Sequence, residues 1–185
     1  MAGRATDILS AFWAPLCAIG SHGTSGPNAQ ISVSVFGASI VPERPRLLVV
    51  LHKTNYTHDL VSQAGTLAIT ALSRGSAGLL EPLGLVSGRE RKNKLDGLDY
   101  KLTAAGDPYF ATGVAMLDCE VLTEHDLGDA TSFLVAVRSL EALAGGDPLG
   151  WQEAKEVVGE EFLARWAEKS AREREVAFAT MTWKD

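Results

Sequence analysis

The 185-residue sequence is poor in cysteine: it has only Cys17 and Cys119, with no CxxC spacing, so neither a zinc site nor a disulfide framework is signalled. Both thiols are expected to be free and buried. Basic charge is not in excess either. Seventeen Lys and Arg against 23 Asp and Glu leave a net charge of −6, which argues against nucleic acid as the main partner. An anionic ligand would need a local positive site. No apolar run approaches the roughly 18 residues that cross a bilayer, so no membrane partner is expected. Apolar residues 11–19 follow Arg4 as in a secretory signal, yet Asp7 precedes them, Pro15 interrupts them and no small-x-small site follows. A cytoplasmic location is the expectation. GxGxxG, Walker-type, HExxH and GxSxG motifs are also missing, which removes the usual nucleotide, metalloprotease and hydrolase readings. The four histidines, His22, His52, His58 and His125, fall in different local elements, so no metal site is expected.

What the chain does contain is β pattern. Its 46% hydrophobic and 22% charged residues suit a globular fold, and its length suits one ordinary domain with an added element. Residues 7–12 read as a short helix and 16–21 as a strand, followed by a hairpin loop at 22–27 rich in turn formers. Over residues 29–36, Gln30, Ser32 and Ser34 alternate with Ile31, Val33 and Val35, the period of one half-buried strand. Residues 47–51 are continuously apolar, as in a strand buried on both faces. A helix over 56–64, capped by Thr54 or Asn55 and ended by Gly65, would turn Leu60 and Val61 inward. A strand over 67–72, short helical turns over 74–88 and a polar loop over 89–94 follow. Residues 114–123 and 132–143 predict a long hairpin, with His125 and Asp126 in a solvated turn. Consecutive strands joined by tight turns, with no βαβ rhythm, favour a mainly β, antiparallel barrel. Residues 151–185 carry 14 charges in 35 positions and a narrow stripe of Phe162, Trp166 and Ser170, with Glu161–Arg165 and Glu168–Arg172 pairs at i,i+4. This is a charged helical arm whose stripe must pack on something. Trp13, Trp151, Trp166 and Trp183 are expected as packing or interface groups, and Cys119 as core.

One constellation suits a phosphate. His52, Lys53, Asn55, Tyr56 and Thr57 open the predicted helix, whose N-terminus offers free N–H groups and positive dipole. The nearby strand of Asn28, Ala29, Gln30, Ile31, Ser32, Val33 and Ser34 could offer backbone and small polar side chains to a flat heterocycle. An alternating strand and a capped helix also occur where nothing binds, so the residues alone leave both readings open.

The succession of Asn28 to Ser34, residues 39–45, 47–51, 56–61 and 65–70 resembles the flavin reductase-like and flavoredoxin families, FMN-binding split barrels. The likeness extends over residues 15–143 and leaves the arm outside. It implies a split β-barrel domain at 1–146 with short helices and a C-terminal helical arm at 147–185. It implies FMN along Asn28 to Ser34 with its phosphate near His52, Lys53, Asn55, Tyr56 and Thr57, and NADH or NADPH as transient hydride donor. Lys94 with Leu95 matches in part the family's basic-aromatic pair. The resemblance further implies a homodimer and an oxygenase or other electron acceptor. Many members carry Asp-His-Thr before the last strand, where this chain has Asp129, Ala130 and Thr131. The expected function is therefore an NAD(P)H-dependent FMN reductase with no catalytic residue assigned. The alternatives are a non-catalytic FMN-binding or electron-transfer protein, and a flavin-free interaction protein on the same barrel.

Overall fold

The computed structural model describes residues 13–143 and 146–183, so the expected helix at 7–12 lies outside the described residues. The first hairpin joins β1 (Cys17–Gly23) to β2 (Gly26–Ser32), then come β3 (Val35–Gly37) and β4 (Arg46–His52). Helix α1 (Tyr56–Ala64) leads to β5 (Thr66–Ala71), a 3₁₀ turn (Arg74–Leu79) and α2 (Leu80–Gly84). Two-residue strands β6 (Lys101–Leu102) and β7 (Pro108–Tyr109) precede the long β8 (Ala115–Asp126) and β9 (Ala130–Ala142). The arm, α3, runs over Trp151–Thr180.

Seven strands form one sheet in the order β2-β1-β5-β8-β9-β4-β3, with every pairing antiparallel. Strands β2 and β3 occupy opposite edges yet are separated by only Val33 and Ser34. Two linking residues span at most about 11 Å, so the sheet has to curl until its edges nearly meet. The result is a half-barrel, the antiparallel split barrel expected from the sequence.

The link corrects one expectation. Residues 29–36 are two strands, not one, because Ser34 N–H donates to Ser32 Oγ at 3.1 Å and turns the chain from one sheet edge to the other. The hairpin expected over 22–27 is tighter than read. Gly23 pairs with Gly26, leaving Thr24 and Ser25 as the loop, and Gly26 has a φ of 102° that favours glycine. His125 and Asp126 lie in strand β8, opposite Ser132 and Thr131, so that turn shortens to residues 127–129.

Two apolar clusters lie on the two sides of the sheet. Ile19, Val49, Leu51, Leu67, Ile69 and Phe133 come from strands across its width and meet inside the curl. Leu16, Ala29, Leu72, Leu83, Phe110 and Phe162 pack on the outside, beneath α2 and α3. Strand β4 is not buried on both faces as expected: Val49 and Leu51 are fully covered, while Leu48 and Val50 keep part of their surface exposed. Cys17 and Cys119 are buried and free, and burial pushes both thiols up to about 12, which makes them inert at neutral pH.

The arm carries an aromatic cluster that docks on the barrel's outer apolar face. Within the arm Phe162 and Trp166 stack at 5.7 Å and Trp166 meets Trp151 at 5.2 Å, while Trp151 meets Trp13, ahead of β1, at 5.6 Å and Phe162 packs into the outer cluster. Gly84 makes room for this cluster, since a Cβ there would lie 2.6 Å from Trp166 Cζ3. The helix is broken at Gly159, where φ is 78°. The i,i+4 pairs expected along it are replaced: Arg165 donates to Glu81 of α2 once the arm has docked, and the intrahelical pair is Lys169 with Glu173. Among the described residues no helix is long and apolar enough to cross a membrane.

Candidate functional site

Helix α1 begins at Asn55, whose extended backbone sets the cap position, and stops at Gly65 in the left-handed region. Neither Asn55 nor Thr54 caps it through a side chain, contrary to expectation. The His58 N–H donates to the Asn55 carbonyl at 3.2 Å, and the N–H groups before it have no side-chain cap. Beside them opens a cleft of about 280 Å³, lined by Ser25, Gly26 and Pro27 of the hairpin, by Tyr56, and by Gly88, Arg89 and Lys92 of the loop after α2.

Arg89 is the best-fixed cation of this cleft. Its guanidinium lies 5.8 Å from the Tyr56 ring centre, and its Nε donates to the Thr54 carbonyl at 3.3 Å. Its Nη2 donates to Asp59 Oδ2 at 2.8 Å, while Nη1 has no hydrogen-bond partner among the described residues. Asp59 continues the chain of bonds, since its Oδ1 meets His58 Nδ1 at 3.0 Å and His58 Nε2 meets Thr131 Oγ1 at 2.8 Å. With Nδ1–H donating to the carboxylate, Nε2 accepts from the threonine hydroxyl.

The expected ring strand has an unexpected inside. Asn28, Gln30 and Ser32 are all buried, because α1 covers their face of β2 while α2 packs on the strand's other side. Asn28 Oδ1 accepts from Thr57 Oγ1 at 3.1 Å, so two expected site residues do meet. Asn28 Nδ2 and Gln30 Oε1, however, are buried without a hydrogen-bond partner. An orphaned buried donor and acceptor two residues apart cost free energy unless something fills them. Ala29, Ile31 and Val33 instead join the outer apolar cluster. The Ser34 carbonyl accepts from Val50 N–H at 2.9 Å, extending the β3–β4 pairing by one residue.

The basic residues expected at the phosphate are dispersed. Lys53 turns away to the β8–β9 turn, where Nζ donates to Asp126 Oδ1 at 2.7 Å and to the Gly128 carbonyl at 2.8 Å. His52 is exposed, its Nδ1 3.5 Å from Asp129 Oδ2. Lys94 is buried beneath the loop and donates to the carbonyls of Val86, at 2.9 Å, and Leu83. Burial, and then the charge of Lys169, lowers its pKa to about 8. The sequence pattern places Arg89 and Lys92 only in a polar loop. The signal that could have found them is the run Arg89, Arg91, Lys92, Lys94, four bases in six positions of an acidic chain. No three His, Cys, Asp or Glu side chains converge as a metal site among the described residues.

A curled antiparallel sheet, with a cleft lined by Arg89 and Lys92 at the start of its helix, defines a split barrel. Residues 9–158 match the Flavin reductase like domain family, and the chain belongs to it. The High molecular weight rubredoxin of Moorella thermoacetica is 31% identical over 124 residues, 66% of this chain and 53% of that protein. The Ferric-chelate reductase (NAD(P)H) of Archaeoglobus fulgidus is 28% identical over 127 residues, 67% of this chain and 73% of that protein. Among solved structures, an FMN-binding protein from Thermus thermophilus with bound p-hydroxybenzaldehyde superposes with a TM-score of 0.64 at 24% identity, covering 71% of this chain and 73% of that one. That likeness is one of fold. The chain spans about half the length of the first relative.

Proposed function

We propose that this chain binds FMN and acts as an NAD(P)H-dependent flavin reductase. The observation that carries the reading is the pair of orphaned buried atoms on β2, the Asn28 Nδ2 donor and the Gln30 Oε1 acceptor. Such a pair suits the edge of an isoalloxazine, which alternates acceptors and donors. The cleft beside α1 suits the phosphate, with Arg89 and Lys92 as cations, the Tyr56 hydroxyl, and the helix N-terminus. Thr57 supports the ring end by fixing the Asn28 amide. When bound, the flavin supplies the redox chemistry, taking hydride from a nicotinamide and passing electrons to an acceptor or a partner oxygenase. The chain's own residues bind, orient and shield it. The names of the relatives, a reductase and a rubredoxin, agree with redox work.

His52 stands directly across from Ala130 in the β4–β9 register, so both side chains share one face. An imidazole is thus available beside Ala130, the position where the family resemblance implies a histidine, and we assign His52 to the nicotinamide side. The reading includes a homodimer, for which the exposed Phe36 and the partly exposed Leu48 and Val50 of β4 are apolar surface. A non-catalytic FMN carrier is the second reading, favoured by Ala130 itself.

A visible spectrum of purified protein mixed with FMN, before and after anaerobic NADH or NADPH, tests both. Bound-flavin absorbance that bleaches with nicotinamide is expected. Bound flavin that never bleaches would leave only the carrier, and failure to quench FMN fluorescence would remove the flavin reading altogether.

A further inference from the structure

The last described residues of the arm return to the β8–β9 turn. Thr182 Oγ1 donates to Asp126 Oδ2 at 2.9 Å, and Thr182 N–H to the Gly128 carbonyl at 3.3 Å. Met181 and the Trp183 indole lie over Gly128, within 3.5 Å of where its Cβ would stand, and its φ of 93° favours glycine. Asp126 and the Gly128 carbonyl are also the two acceptors that hold the Lys53 ammonium. Gly128 N–H closes the arrangement by donating to Asp126 Oδ1 at 2.7 Å. One carboxylate and one carbonyl thus join the arm's end to the residue that leads into α1.

We propose that Thr182 is a positioning residue of the candidate site: the arm's end clasps the β8–β9 turn so that Asp126 and Gly128 keep Lys53 away from the anion cleft. The residues matching the family end at 158, so the clasp belongs to a segment outside that match. Lys53 accordingly adds little to anion affinity while the clasp is closed, and the cleft works through Arg89 and Lys92. Opening the clasp releases a third cation toward the helix N-terminus. The Lys53 bond is the largest cause holding the Asp126 carboxyl down at about 2, in agreement with a closed pair at neutral pH. Exposed ion pairs are individually weak, so loss of one hydroxyl should move this balance by a small, readable factor. The effect on cofactor affinity rests on the proposed function; the clasp itself does not.

The test is competitive acetylation of the full-length chain with trace acetic anhydride, reading Lys53 against exposed Lys101 by mass spectrometry, in wild type, Thr182→Val, Thr182→Ser and Asp126→Asn. Asp126→Asn should raise Lys53 labelling most and Thr182→Val about threefold, while Thr182→Ser, which keeps the hydroxyl, stays at the wild-type level. Unchanged labelling in Thr182→Val, with Asp126→Asn raised, would overturn the role of the arm; unchanged labelling in both would overturn the pairing. In parallel, Thr182→Val should tighten FMN about threefold and leave riboflavin alone. If wild type binds neither flavin, the proposed function fails while the labelling still decides the clasp.

Discussion

Arg89 and Lys53 flank the same helix start, and each pairs with an aspartate, yet the two are held in opposite ways. Arg89 is anchored by main-chain carbonyls and the Tyr56 ring, and its other terminal nitrogen has no partner among the described residues. Lys53 spends two of its three donors on the far side, at Asp126 and Gly128. A planar guanidinium can satisfy a carboxylate and still present another N–H, whereas a point-like ammonium goes where its strongest acceptors are. Proximity in sequence to a helix N-terminus therefore does not make a cation its ligand.

The largest test of the cleft side is Gly88→Ala. A Cβ there would lie 2.4 Å from Asn28 Nδ2 and 2.6 Å from Tyr56 Cδ1, so both ends of the site must shift. Overpacking of this kind costs about 1 to 3 kcal/mol. Titration should show FMN and riboflavin weakened alike, by roughly tenfold or more. Weakening of FMN alone would mean that Gly88 serves only the phosphate. A smaller effect concerns the buried Lys94, which donates to the Leu83 and Val86 carbonyls. Its pKa falls from 10.5 when unfolded to about 8 when folded, so below pH 8 both states carry the proton and the folded state bears the cost. Between about 8 and 10.5 the unfolded chain binds more protons, and stability rises with pH. The slope contributed by this group is at most about 1.4 kcal/mol per pH unit. Thermal melts of wild type against Lys94→Met across that window should show the rise only in wild type. An identical rise in both would assign it to other groups.

Much of the fold was legible in the sequence because local pattern determines it. The apolar run at 47–51, the helix over 56–64 with its Gly65 stop, and the two long runs that became β8 and β9 needed no tertiary knowledge. The break at Ser34 was not legible, since a β alternation continues through it while the chain crosses the barrel's seam. The burial of Asn28, Gln30 and Ser32 was missed for a related reason: alternation marks two faces, but both are covered here by helices distant in sequence. Arg89 sits 33 residues after Tyr56, and only packing brings them together. The kink at Gly159 and the return of Thr182 to Asp126 likewise depend on where the arm docks.

The central claim, that Arg89 and not Lys53 is the principal phosphate cation, is tested most directly by comparing FMN and riboflavin dissociation constants in Arg89→Ala and Lys53→Ala. A charge-assisted bond of about 2 kcal/mol predicts that Arg89→Ala weakens FMN roughly thirtyfold with riboflavin little changed, while Lys53→Ala costs FMN under about threefold. The reverse order, with Lys53→Ala the damaging change and Arg89→Ala silent, would contradict it.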